Sequence, residues 1–158
     1  MIEPDQPSSP VCYAREADDA YAGYANREEL ISFCNLLLEA ERAGAQVCAR
    51  TAAEVGDSEL RELLLSIGKD EGQYCAMLLK WLTHLGGEPS PRVGGFYEKC
   101  IAIADVAQRV AFLNRGQIWV VKRIREMLPK IRDDAMYADF SGMLDKHEEN
   151  IVRAQPAR

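Results

Sequence analysis

Four stretches of this chain repeat apolar residues at helical steps of three and four, and none alternates with the period of two that a half-buried strand requires. That feature confines the chain to helices packed on helices. The first stretch starts after Asn26, where Glu29 stands as in a capping box. It runs Leu30, Cys34, Leu37, Glu41, Ala45, Cys48, Ala52, Val55 and ends in "VGDS". Asp57 or Ser58 caps the second, which runs Leu60, Leu64, Ile67, Glu71, Tyr74 or Cys75, Leu78, Leu82, Leu85 until "GGEPSP" stops it. Asp105 with Gln108 forms a second capping box and opens the third: Val106, Val110, Leu113, Gln117, Val120/Val121, Ile124, Leu128, with Pro129 as its stop. Asp133 or Asp134 opens the fourth, which runs Tyr137, Phe140, Leu144, Glu148, Ile151, with His147 beside Glu148.

The links between first and second helices, and between third and fourth, are short, so each pair folds as an antiparallel hairpin. The link from Gly86 to about Ala104 is long, with a short helix expected in "FYEKCIAI". The second helix is about 40 Å long at 1.5 Å per residue, and a link of that length can cross it. Two hairpins joined by a long crossover are an established bundle topology. The expected organisation is a four-helix bundle over 26–158 preceded by an extended arm over 1–25. Pro4, Pro7 and Pro10 oppose helix in that arm, while Tyr13, Tyr21 and Tyr24 give it something to pack.

At 158 residues the chain is long enough for one domain with a real core, and 47% apolar with 28% charged residues is a globular balance. The net charge of −6, with acids and bases interspersed and no basic stripe, argues against nucleic acid and anionic membrane as partners. The N-terminus "MIEPDQPSSPVC" lacks the apolar region of a secretory signal, and no run approaches the ~18 apolar residues of a membrane span. The cysteines at 12, 34, 48, 75 and 100 are odd in number and show no Cys-x-x-Cys spacing. They read as reduced core thiols of a cytoplasmic protein. "IWVV" at 118–121 makes the third helix apolar around most of its girth, so it needs cover on more than one side. The arm or a second copy of the chain would supply it, and a homodimer is expected.

Each helix carries one acid or amide amid its apolar series: Glu41, Glu71, Gln117 and Glu148. Glu41 and Glu71 are 30 residues apart, centred on Gly56, and Gln117 and Glu148 are 31 apart, centred between Arg132 and Asp133. Residues equidistant from a hairpin turn lie at one height, so each hairpin sets its polar pair level to within about one 1.5 Å rise. The hairpins also echo each other weakly, "KDEGQY" with "KHEENI" and "LLEAE" with "LNRGQ". A buried carboxylate without a partner costs several kcal/mol or takes up a proton. Arg42, Arg50, Arg115, Lys122 and Lys146 fall on other helix faces, and Arg109 borders the buried face about two turns from Gln117. A metal ion, protons or ordered water are the candidates that remain.

On these residues the chain resembles the ferritin-like superfamily, whose bundles hold two metal ions with one Glu on each of two helices and Glu-x-x-His on each of the others. The resemblance covers about residues 27–154. It implies Glu41 as the first Glu, Glu71 as the opening of one Glu-x-x-His with Tyr74 in place of His, Gln117 in place of the other Glu, and Glu148 opening the second motif with Ile151 in place of His. It implies Glu41, Glu71 and Glu148 as metal ligands, with Tyr74, Gln117 and His147 as supporting or substitute groups. Iron, manganese or zinc would be the ion; with both histidines and one carboxylate missing, a vestigial site holding none is the other outcome. Three classes therefore stand: a metal-binding or redox bundle, a metal-free bundle acting through protein contacts, and a small-ligand binder using the mid-bundle polar pocket. His84, Trp81 and Trp119 read as surface or packing residues. No phosphate loop, nucleophile–base pair or zinc pattern supports another enzyme class.

Overall fold

A computed structural model describes residues 22–156. The expected arm over 1–25 lies outside the described residues except for 22–25. The helices are α1 (Arg27–Glu54), α2 (Ser58–Leu85), α3 (Phe96–Ile101), α4 (Val106–Met127) and α5 (Asp134–Arg153). Local chemistry sets their ends. Asn26 and Glu29 form the reciprocal capping box of α1. The side chains of Asp57, Asp105 and Asp133 accept the backbone N–H of Leu60, Gln108 and Met136 at the starts of α2, α4 and α5. Gly86, at φ +68°, closes α2 in the left-handed conformation that favours glycine. Pro129 ends α4 through a single 3₁₀ turn, Leu128–Lys130.

α1 packs against α2 and α4, and α5 packs against those same two helices. α1 and α5 therefore face each other across the bundle axis, as do α2 and α4. The α2–α5 pair is antiparallel, fastened by Arg153 to Ser66, Asn150 to Asp70 and Trp81 to Asp139. Contacts of Phe33 with Phe140 and of Glu41 with His147 advance together along both chains, so α1 and α5 run parallel. Two antiparallel hairpins linked by a long crossover are thus observed.

The crossover is tied to α1. The Asn35 side chain donates to the Glu88 carbonyl and accepts the Ser90 N–H, and Arg42 donates to the carbonyls of Ser90 and Arg92. Phe96, at the start of α3, then lies on α4 where Gly116 leaves room: a Cβ there would stand 2.6 Å from the ring. Arg109, the basic residue expected to border the buried face of α4, is used elsewhere. Buried, it donates to the Ile103 carbonyl and to Glu54, staking the end of α3 to α1.

The core is divided in two. One apolar cluster includes Phe33, Leu37, Leu38, Leu78, Leu82, Phe140 and Met143; the other includes Val47, Ala52, Leu64, Ile67, Cys100 and Leu113. Cys34, Cys48, Cys75 and Cys100 are free thiols, and Cys34, Cys48 and Cys100 are buried as small hydrophobes. Among the described residues no helix is long and apolar enough to cross a membrane.

The buried face of α5 differs from the expected one. It runs Met136, Phe140, Met143, His147, Asn150, while Tyr137 is exposed and Glu148 is only half-buried. Two successive steps of four, Phe140 to Leu144 to Glu148, overshoot a helical face by about 80°, nearly one residue's 100° turn; the step of seven to His147 misses it by only about 20°.

Candidate metal and ligand chamber

Between the two apolar clusters each long helix turns one polar side chain inward. Glu41 from α1, Glu71 from α2, Gln117 from α4 and His147 from α5 are each no more than 3% exposed. All four line one cavity of about 380 Å³. Both hairpins bring their pair level by the same rule: Glu41 and Glu71 are 30 residues apart, and so are Gln117 and His147.

His147 is fixed by two contacts. Its Nδ1 lies 3.0 Å from the Met143 carbonyl, which can only accept, so Nδ1 carries the proton and donates. The other nitrogen, Nε2, is then turned into the chamber, 3.1 Å from Glu41 Oε1. Burial opposes a charge on this ring, but the Glu41 charge, the bond to Glu41 and the bond to Met143 outweigh it, and the pKa lies above the ordinary histidine value. A hydrogen bond across the Nε2–Oε1 contact requires one proton between these two atoms.

Glu71 is in a different state. Burial, and then the charges of Glu41 and Asp70, push its carboxyl well above the usual glutamate range. It holds its proton under conditions in which an exposed glutamate has lost it. Its carboxyl lies against Gly44, where a Cβ would come within 1.8 Å of Oε2. Glycine at that position of α1 is what lets a full-length acid enter the bundle. Four buried polar atoms in the chamber have no hydrogen-bond partner: Glu41 Oε2, Glu71 Oε2, and Oε1 and Nε2 of Gln117. Buried polar groups are normally satisfied, so the chamber is chemically open.

Of the expected site residues, the structure brings together Glu41, Glu71, Gln117 and His147. Glu148 is not among them. Its carboxylate points outward to form an ion pair with Arg125, because the residue after His147 is rotated by about 100°. Tyr74 is half-buried beside the cluster, its ring 5.5 Å from His147. Burial, with smaller effects from Asp70 and Glu41, raises its phenol to about 12, so it stays protonated. It does not line the cavity. Two features escaped the sequence reading. One is Gly44, whose small size is the only signal. The other is the cavity wall formed by Phe96, stacked on Phe112 at 5.1 Å, which depends on where the crossover lies.

A family profile described as "Domain of unknown function (DUF6306)" matches residues 28–156. The chain belongs to the DUF6306 family. Among curated proteins none matches. The chain is similar to a crystal structure of a two-domain protein from Anabaena variabilis containing DJ-1/ThiJ/PfpI-like and ferritin-like domains, with a TM-score of 0.66 and 16% identity. The match covers 98% of this chain and 42% of that one, so the DUF6306 chain spans about two fifths of that protein's length. At this identity the likeness concerns the fold, and the bundle is ferritin-like.

The donor set can now be compared with the two-ion pattern of that fold. Set against that pattern, His147 would stand as the closing residue of the second Glu-x-x-His, with Leu144 at the position of its Glu, Tyr74 at the position of the other histidine and Gln117 at that of one Glu. Two carboxylates and one imidazole do not fit a pair of divalent ions. They do fit one, because two carboxylates cancel its charge and Nε2 is pre-oriented by Met143, the arrangement usual for ligating histidines. As the side chains stand, no group of three His, Cys, Asp or Glu among the described residues is gathered around a single point that could hold an ion. Nε2 and Glu41 are turned to each other, and Glu71 toward Gly44.

Proposed function

We propose that this DUF6306 protein is a single-ion variant of the ferritin-like bundle, holding one divalent iron, manganese or zinc ion between Glu41, Glu71 and His147. The observation that carries this reading is the orientation of His147: its Nδ1–H is committed to the Met143 carbonyl and its Nε2 faces a carboxylate, beside carboxyl oxygens of Glu41 and Glu71 that lack partners. A bound ion would supply a Lewis-acidic or redox-active centre at the end of a substrate-sized cavity. The protein's own part is to keep that end dry, to position Gln117 as a hydrogen-bonding group toward whatever enters, and to hold the protons of Glu71 and His147 until an ion displaces them.

A second reading rests on the Glu41–His147 contact. That pair balances its own charge, and Glu71 is neutral when protonated, so the cluster is also self-consistent as a metal-free polar chamber. Titration calorimetry with Mn²⁺ and Zn²⁺, on chelator-stripped protein, separates the two. The single-ion reading expects one equivalent bound, with proton release, and affinity reduced by at least about 100-fold in Glu71→Gln and His147→Ala, beyond the range typical of groups that only support a ligand. Absence of stoichiometric binding by the folded wild type rejects it in favour of the metal-free chamber.

The same proposal includes a homodimer in the cytoplasm. Ile118, within the apolar run of α4, is a large side chain exposed beside the cavity rather than in it, and a second copy would cover it. Light scattering that returns the mass of one chain at micromolar concentration would reject the dimer.

A further inference from the structure

The cavity that ends on the polar cluster has walls suited to something other than an ion. Its sides are Leu36, Phe96, Phe112, Trp119 and Val120, and Leu36 and Trp119 are also exposed, which places them at its mouth. At about 380 Å³ it falls at the small end of the ~300–1,000 Å³ range of ligand pockets. A single ring or short branched chain fits that space. At the inner end Gln117 is buried with its amide oxygen and its amide nitrogen both unpartnered. The group it requires must therefore donate and accept at once.

We propose that this cavity binds a small, neutral, mostly apolar molecule through one hydroxyl or carboxamide head group, inserted head-first onto Gln117. Charge selects the head. A carboxylate would add a third acid beside Glu41 and Glu71 with no lysine or arginine at the inner end; Arg115, the basic residue lining the cavity, lies over the ring of Phe112. An ammonium group would have to lose its hydration between apolar walls, and Glu41 Oε1 is already engaged by His147 Nε2 at 3.1 Å. A head that both donates and accepts matches the two free ends of Gln117, and aromatic walls suit a flat body. The inference rests on the same chamber as the single-ion reading, and the ligand would lie next to the ion if one is bound. It does not require the ion.

The test uses the full chain in EDTA, with benzamide and benzyl alcohol as probes and toluene, benzoate and benzylamine as comparisons, binding being followed by NMR of the Trp119 indole. Benzamide and benzyl alcohol are expected to bind about tenfold or more tighter than toluene, the equivalent of one or two net hydrogen bonds. Benzoate and benzylamine are expected to bind more weakly than benzamide. Gln117→Leu should erase the advantage of benzamide over toluene. Ala40→Phe, which fills the cavity from α1, should abolish binding of every probe while the helical circular dichroism is kept, and it serves if Gln117→Leu fails to fold. Equal affinity of toluene and benzamide, tighter binding of either charged probe, or probe binding that survives Ala40→Phe overturns the proposal. Probe binding without Mn²⁺ uptake leaves this inference standing and rejects the ion; Mn²⁺ uptake without probe binding does the reverse.

Discussion

Replacing Glu71 by glutamine tests the electrostatics of the chamber without changing its shape. In the folded protein burial and the neighbouring charges of Glu41 and Asp70 keep the Glu71 proton on to a higher pH than in the unfolded chain, where glutamate ionises near 4.3. Between those two values the folded state binds one proton more than the unfolded state. Stability must therefore fall as pH rises across that window, by about 1.4 kcal/mol per pH unit, and level off once the folded pKa is passed. Glutamine has no proton to lose. In EDTA, the stability of Glu71→Gln minus that of wild type should grow with pH from about pH 5, by up to about 1.4 kcal/mol per unit, until the folded pKa is passed. His147, whose folded pKa is also raised, contributes stability that is complete below its unfolded pKa and is lost as pH rises through the folded value. That contribution is present in both proteins, so the difference reports Glu71. Urea melts at about pH 5, 6 and 7 at fixed ionic strength provide the curves. Parallel curves for the two proteins would refute the claim that Glu71 is held as a neutral acid. With saturating Mn²⁺ the wild type should instead gain stability with pH, because the ion takes the place of the protons.

Gly44→Ala places a methyl group 1.8 Å from the present position of Glu71 Oε2, forcing the carboxyl into the cavity. Overpacking of about 1–3 kcal/mol against a helix-propensity gain of about 1 kcal/mol leaves a net loss on the order of 1 kcal/mol in urea melts. In a Glu71→Ala background the clash is gone and the same substitution should stabilise by up to about 1 kcal/mol; no change of sign would mean that the two residues do not touch. Arg109→Met removes the donor that holds the Ile103 carbonyl and Glu54. It should destabilise by about 2–3 kcal/mol and raise amide exchange in α3 ahead of α5; uniform exchange would show that Arg109 does not anchor the crossover.

The helices were legible because each ends in chemistry that acts locally: an Asn26–Glu29 box, three aspartate caps, a left-handed Gly86 and Pro129. Topology followed from link lengths. The level of the chamber was legible too, since hairpin symmetry alone sets Glu41 against Glu71. The inward residue of α5 was not. His147 and Glu148 are adjacent and both polar, and an apolar series of isolated matches cannot resolve a rotation of one residue. The identical 30-residue spacing of Glu41 to Glu71 and of Gln117 to His147 carries that information, but the spacing of 31 to Glu148 differs from it by only one helical rise. The cavity was illegible for another reason. Phe96 meets Gly116 on a crossover that Asn35, Arg42 and Arg109 fasten to α1, and contacts between segments so distant in sequence leave no periodic trace.

Anomalous diffraction from crystals grown with Mn²⁺ at millimolar concentration measures the central claim most directly. The single-ion account predicts one manganese peak among Glu41, Glu71 and His147 at mid-bundle, lost in Glu71→Gln crystals. A difference map with manganese only at surface acids, while the Glu41–His147 hydrogen bond stays intact, would contradict it.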